Sequence, residues 1–272
     1  MGYLFPMTLR PYYRALGDTG LQLSPLGLGT VKFGRNQGVK YPSSFDLPSD
    51  QQIHNLLAQA QDLGINLLDT APAYGTSEER LGPLLEGQRK NWLICTKVGE
   101  EFSAGLSSFD FSAAHTRHSI ERSLRRLHTD YLDMVLVHSD GNDLKVLDDE
   151  VYPTLQQLKQ QGLIRAFGFS GKTIEGGIRA LQQGDCAMVT YNLNEQGERP
   201  VLDFALSHNK GILIKKALAS GHLCLDGEDP VQQGLRLVLG HRAVTSAIIG
   251  TITPHHLEQN VQAAAAVLEQ QE

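Results

Sequence analysis

The 272-residue chain holds only three cysteines, one tryptophan and four methionines. Cys95, Cys186 and Cys224 are odd in number and far apart. That spacing excludes a disulfide framework and offers no zinc-ligand pattern. Cys95 and Cys186 stand inside apolar runs and are expected to be buried thiols, a usage that fits a reducing, cytoplasmic setting. No apolar run is long enough to span a membrane. The opening MGYLFPMTLRPYYRAL has too short an apolar core, and too late a charge, for a secretory signal. Lysine and arginine number 24 against 30 aspartates and glutamates, for a formal charge of −6. With no basic run, this argues against nucleic acid or an anionic membrane as partner. A dinucleotide fingerprint is also missing: Gly27, Gly29 and Gly34 do not fit G-x-G-x-x-G after the first strand, which counts against a doubly wound open sheet.

What the chain does have is a repeated alternation of short apolar runs and helical stretches. After a hairpin signal around Gly-Asp-Thr-Gly (residues 13–24), strands are expected at LGLGT (26–30), NLLDT (66–70), WLICTKV (92–98), YLDMVLVH (131–138), LIRAFGFS (163–170), CAMVTYN (186–192), ILIKK (212–216) and TSAIIG (245–250). Helices are expected between them at 49–64, 76–87, 112–128, 146–162, 173–184, 199–211 and 229–241, with a last one at 253–270. Continuous runs such as MVLV and AIIG suit strands covered on both faces. Eight strand–helix units in about 250 residues predict a (β/α)₈ TIM barrel with an N-terminal β-hairpin cap, one domain over residues 1–272. Two long connections, 33–48 and 99–111, follow strands and are expected as loops over the active-site rim.

Asp69, Tyr74, Lys97 and His138 lie at or just after three successive strand ends. Singly, each has an ordinary reading: a helix cap, a turn tyrosine, a solvated lysine, a structural histidine. Together on one rim they form a proton-donor site. A free tyrosine titrates near pH 10, and a lysine cation beside it is expected to lower that value. A carboxylate would hold the lysine charged, and a histidine could steer a carbonyl oxygen toward the phenol. The arrangement suits protonation of an oxygen that is becoming an alkoxide. Side chains cannot supply a hydride, so such a site requires a cofactor.

The chain resembles the aldo-keto reductase family along most of its length. The resemblance is carried by YRALGDTGLQLSPLGLGTVKFG, LLDTAPAYGTSEERLG, the TK of ICTKVG, SIERSLRRLHTDYLDMVLVHSDG, GLIRAFGFS, MVTYNLNE and VTSAIIGT with HHLEQN. It implies a barrel that binds an extended nicotinamide cofactor and reduces an aldehyde or ketone to an alcohol. By matched position Tyr74 would be the general acid, tuned by Lys97 and Asp69, with His138 orienting the carbonyl. Ser170 matches a residue that holds the nicotinamide amide. The usual asparagine after it is Gly171, the usual glutamine is Met188, and the usual stacking aromatic is Lys215 or Lys216. The KKALASG segment, with Lys216 or its amides, could wrap the pyrophosphate. Gly250, Thr251 and His256 stand where a 2′-phosphate is often held, and Asn260 where the adenine is contacted. The resemblance favours NADPH, with NADH as the second choice.

The chain ends with its last helix, where many family members carry a tail over the pocket. An open pocket shaped by the two long connections and SDGND (139–143) is therefore expected, with one or two of Phe33, Tyr41, Phe45, Phe102 and Phe109 facing a small carbonyl substrate. Trp92 is expected to pack at the opposite rim, and a monomer suits the barrel. Two other functions fit the same residues: a nicotinamide-binding sensor or regulatory subunit with little turnover, and a Schiff-base lyase using Lys97, Lys215 or Lys216.

Overall fold

The computed structural model describes residues 8–39, 41, 43–219 and 230–271. Cys224, Lys40 and Pro42 of the first long connection, and the last two residues of KKALASG lie outside the described residues. The chain opens with an antiparallel hairpin, β1 (Arg14–Ala15) and β2 (Gln22–Leu23). Its strands are β3 (Leu26–Gly29), β4 (Leu67–Asp69), β5 (Leu93–Val98), β6 (Glu100–Ser103), β7 (Leu106–Phe109), β8 (Leu132–His138), β9 (Ile164–Ser170), β10 (Cys186–Thr190), β11 (Gly211–Lys215) and β12 (Val244–Ile249). Eight of them close a parallel barrel in chain order, β3-β4-β5-β8-β9-β10-β11-β12, with β12 returning to β3. This is the expected (β/α)₈ barrel.

Strand side chains alternate between faces, and here the alternation separates two apolar clusters. Leu68, Ile94, Val135 and Val137 point outward into the shell of helices. Leu67, Cys95, Met134, Leu136, Ala166, Cys186, Met188 and Leu213 fill the barrel interior together with Leu16, Leu21 and Leu23 of the hairpin. The hairpin is thus a plug, and burial of each leucine contributes about 1.5–3 kcal/mol. It sits so close that a Cβ on Gly211 would stand 2.2 Å from Cδ1 of Leu16. Trp92 is buried at the start of the β5 region, as expected.

Three local expectations are corrected. The connection 99–111 is not a loop but a second hairpin, β6 paired with β7. The helix expected over 146–162 is two helices, Asp143–Asp148 and Val151–Gln160, with Asp149 extended between them. Pro153 accounts for the break, because its ring would meet the carbonyl four residues earlier in a continuous helix. The connection after β3 begins with a short helix, Val31–Gly34, which buries Phe33 in the outer core rather than leaving it to wall a pocket.

Candidate active site

The two-residue period of the strands builds the site. On β4 the inward positions are Leu67 then Asp69, on β5 Cys95 then Lys97, and on β8 Met134, Leu136, then His138. On β9, β10 and β11 the same face runs to Ser170, Met188 and Lys215. Register joins them into one layer: Asp69 lies opposite Cys95, Lys97 opposite Leu136, and His138 opposite Ser170, which in turn lies opposite Met188. The inward side chains therefore change from apolar to polar at one level, the C-terminal mouth of the barrel.

Tyr74 comes from a short 3₁₀ turn, Pro72–Tyr74, just past β4. Gly75 follows with φ of +63°, and a Cβ there would stand 2.1 Å from the carbonyl oxygen of Gly34. Only glycine suits that backbone and that gap. Arg35 fixes the turn from the other side, donating from Nη1 to the carbonyl of Ala73 at 3.0 Å.

The four candidate residues converge. Nζ of Lys97 lies 2.6 Å from Oδ1 of Asp69 and donates to the carbonyl of Thr70 at 2.9 Å. The Tyr74 hydroxyl donates to Oδ2 of Asp69 at 3.4 Å, and Nζ of Lys97 lies 4.7 Å from the centre of the tyrosine ring. Burial works against the Lys97 ammonium, but Asp69 and the neighbouring phenol and thiol outweigh it, so its pKa is raised. Tyr74 is also raised, by burial first and by Asp69 second, against the pull of Lys97. Lys97 acts to lower the tyrosine, as expected, but burial and Asp69 outweigh it. His138 is lowered, by burial first, with Lys97 and Lys215 adding to it and Glu100 opposing.

These side chains line one end of a cleft of about 1040 Å³. Its walls also include Ser170, Met188, Lys215 and Lys216, and then Gly250, Thr251, His256 and Asn260 toward the helix Pro254–Glu269. Gly171 is not among the lining residues. A Cβ at Gly171 would meet Oδ2 of Asp143 at 2.9 Å, and its carbonyl accepts from Nζ of Lys215 at 2.6 Å. Of the five aromatic candidates, Tyr41 and Phe45 line the cleft. Phe102 instead stacks under the guanidinium of Arg35, and Phe109 on Phe111.

A sequence model described as the aldo/keto reductase family matches residues 25–230. The chain belongs to the aldo-keto reductase family. A solved Pseudomonas aeruginosa protein assigned to the aldo-keto reductases is 60% identical, with a TM-score of 0.89, over 97% of this chain and 98% of that one. L-Galactose dehydrogenase of Arabidopsis thaliana is 28% identical over 92% of this chain and 87% of its own length. The holo form of an aldo-keto reductase from Bacillus halodurans, 23% identical, shares the fold with a TM-score of 0.78 over 95% of each chain.

As an aldo-keto reductase the chain is an oxidoreductase whose family interconverts carbonyls and alcohols with a nicotinamide nucleotide. Sequence reasoning missed several cleft residues of this reductase. Lys32, in the helix Val31–Gly34, lines the cleft with Nζ 4.2 Å from the Tyr41 ring centre. Gln259 and Ala263 line it beside His256 and Asn260. That set shares one helix face by its three- and four-residue spacing, a signal present in HHLEQNVQA. Glu100 had no such signal. Its Oε2 lies 2.6 Å from Nδ1 of His138, an ion-pair distance.

The cleft of this aldo-keto reductase suits a dinucleotide. Among its described lining residues Asp69 is the one carboxylate, and it is paired with Lys97, whereas Lys32, Lys215 and Lys216 bring further cations. The helix Pro254–Glu269 starts without a side-chain cap and without an acidic residue in its first turn. Its free N–H groups therefore suit an anion.

Proposed function

We propose that this aldo-keto reductase interconverts an aldehyde or ketone and the corresponding alcohol with NADPH, using Tyr74 as the proton donor. The observation that carries the reading is the buried Lys97–Asp69 pair at 2.6 Å, with the Tyr74 ring 4.7 Å from the ammonium. A bound nicotinamide supplies the hydride that no side chain can. Tyr74, raised above its ordinary value, holds its proton at neutral pH. As the carbonyl oxygen gains charge, Lys97 stabilises the phenolate that Tyr74 becomes when it gives that proton up. In the reverse direction the phenolate takes the proton of the alcohol. The raised Lys97 stays cationic, which makes it a poor amine nucleophile and disfavours a Schiff-base role for it.

Ser170, Met188 and Lys215 stand nearest the tetrad and would face the nicotinamide. Lys216 would meet the phosphates. Gly250, Thr251, His256 and Asn260 would hold the adenosine end. The preference for NADPH rests on charge: among the described residues the cleft presents no free carboxylate to a ribose 2′-hydroxyl, and its cations favour an additional phosphate. The test is Tyr74→Phe. Turnover of an aldehyde panel should fall by about 10²–10⁴, with NADPH affinity kept. A variant that reduces aldehydes at the wild-type rate refutes the assignment. A nicotinamide-binding regulatory subunit would instead show binding in both forms and turnover in neither, and the complete tetrad speaks against it.

A further inference from the structure

His138 has two ring nitrogens, and the structure treats them differently. Nδ1 is closed off from solvent and lies 2.6 Å from Oε2 of Glu100. The side chain is nevertheless 26% exposed and lines the cleft, so the open edge is the one that carries Nε2. Glu100 is itself held. Its other oxygen, Oε1, accepts from Oγ of Ser107 at 2.6 Å, across the β6–β7 hairpin. Arg35 adds its charge, and although burial opposes it, the carboxyl is held down to about 2 by His138, Ser107 and Arg35.

An ionised carboxylate offers only acceptors. An unprotonated Nδ1 facing it at this distance would set lone pair against lone pair. The proton of a neutral ring therefore sits on Nδ1, and Nε2 carries a lone pair. In the protonated ring both nitrogens donate. We propose that Glu100 is a positioning residue that fixes the Nδ1 proton of His138. It thereby decides what Nε2 offers the substrate: a bare lone pair when the ring is neutral, a donor to a carbonyl oxygen when it is protonated.

The inference rests on the carbonyl–alcohol reading above and gives it a direction. A carbonyl oxygen can only accept, so in reduction it is gripped by the imidazolium. An alcohol brings a single proton, which in oxidation goes to the Tyr74 phenolate, so the bare Nε2 of the neutral ring takes no part in holding it. Balance is unchanged: reduction adds one hydride to carbon and one proton, from Tyr74, to oxygen. His138 only holds the oxygen. The charged groups around the ring are Glu100 from the hairpin, Lys97 from β5 with its partner Asp69, Lys215 from β11, and the Tyr74 phenol. Arg35 acts through Glu100. The two lysines and burial oppose the imidazolium, and Glu100 is the one group that favours it. His138 therefore assists carbonyl reduction on the acid side, with Glu100 setting where that assistance ends.

The first measurement needs no turnover. Nitrogen-15 spectra of histidine-labelled full-length protein, with the His138 signals found by their loss in His138→Gln, report the protonation of each ring nitrogen. The expected result at high pH is a protonated Nδ1 and a bare Nε2, and a ring protonated on Nε2 alone overturns the proposal. The second is Glu100→Gln. Losing a carboxylate at this distance should move the His138 midpoint down by about one to three pH units. The acid limb of kcat for reduction should move with it. The kcat for oxidation at alkaline pH should stay within about twofold, because the proton of the alcohol goes to Tyr74 and not to His138. A variant whose profiles match the wild type in both directions overturns the role of Glu100 while leaving Tyr74 untouched. Absence of turnover in the wild type would instead sink the underlying reading, and the nitrogen spectra would still decide the tautomer.

Discussion

Replacing Asp69 by asparagine separates what the buried ion pair does for stability from what it does for chemistry. The side chains of Lys97 and Asp69 are 2% and 5% exposed, so the pair is nearly dry. Asparagine keeps the shape and an acceptor but removes the charge. Lys97 is then left with the Thr70 carbonyl and an amide, and an ammonium in such a place is uncompensated. Breaking a buried pair from one side costs about 3–5 kcal/mol, whereas removing both charges together is often close to neutral. Asp69→Asn should therefore lose about 3–5 kcal/mol, and Asp69→Asn with Lys97→Met should regain most of it. Activity should not follow. Both forms should be inactive as reductases, because neither leaves a charged lysine held beside the Tyr74 phenol. Urea unfolding followed at Trp92, the single tryptophan, ranks the three proteins. A loss below about 1 kcal/mol in the single variant would show that the pair is solvated like a surface ion pair. A double variant no more stable than the single one would show that the lysine charge is not what asparagine exposes.

Two further outcomes are expected. Gly75→Ala places a Cβ 2.1 Å from the Gly34 carbonyl at a φ of +63°, so it should push the Tyr74 turn off the barrel mouth and lower kcat by tenfold or more, roughly 1.4 kcal/mol in the barrier; unchanged kinetics would show that the turn absorbs the methyl. Lys215 is pushed down to about 8, by burial first and by the neighbouring lysines, and a dinucleotide arriving in the cleft should raise it again. Nucleotide binding should then take up a proton near pH 8 and weaken as the pH rises above it, which calorimetry in two buffers of different ionisation heat would detect; affinity flat from pH 7 to 10 would remove Lys215 from the grip.

The barrel was legible because its strands carry their pattern locally. LLDT and ICTK each show an apolar residue and a polar one two positions apart on the inward face, which is what a layer change at a strand end requires. Tyr74 was legible from its distance to Asp69 across a short turn. The β6–β7 hairpin was not. Its strands, EEFS and LSSF, are partly or fully exposed, so no buried face imposes an alternation on the sequence. Its turn uses Ala104 and Gly105 at φ of +51° and +83°, where asparagine or aspartate in the first place would have announced it. Glu100 meets His138 only because that hairpin folds back over the mouth. Phe33 was read as a loop residue because nothing in KFG announces a four-residue helix. Lys215 was noticed as a departure, but its attachment to Ser170 Oγ at 3.1 Å and to the Gly171 carbonyl depends on three adjacent strands.

The position of that lysine bears on how the mouth of the barrel is balanced. Below the polar layer the interior is apolar and closed by Leu16, Leu21 and Leu23, so the charges above it have no water beneath them. Fields in such a place are stronger than in solvent, and each cation needs an answer. Lys97 has Asp69. Among the described residues Lys215 has no carboxylate within ion-pair distance and holds only a hydroxyl and a carbonyl. Burial of a lysine on such terms is unfavourable, and its lowered pKa is the measure of that. The same cost would be relieved by a negative or strongly accepting group entering the cleft. Gly171 offers this amine its carbonyl and Ser170 its hydroxyl, while the apolar Met188 offers it no hydrogen-bond partner. The three departures from the family pattern therefore read as one linked change, in which a cation on β11 faces the place where the usual amide side chains are absent. If they are linked, restoring asparagine at Gly171 alone should not strengthen nucleotide binding, because its Cβ would stand 2.9 Å from Oδ2 of Asp143.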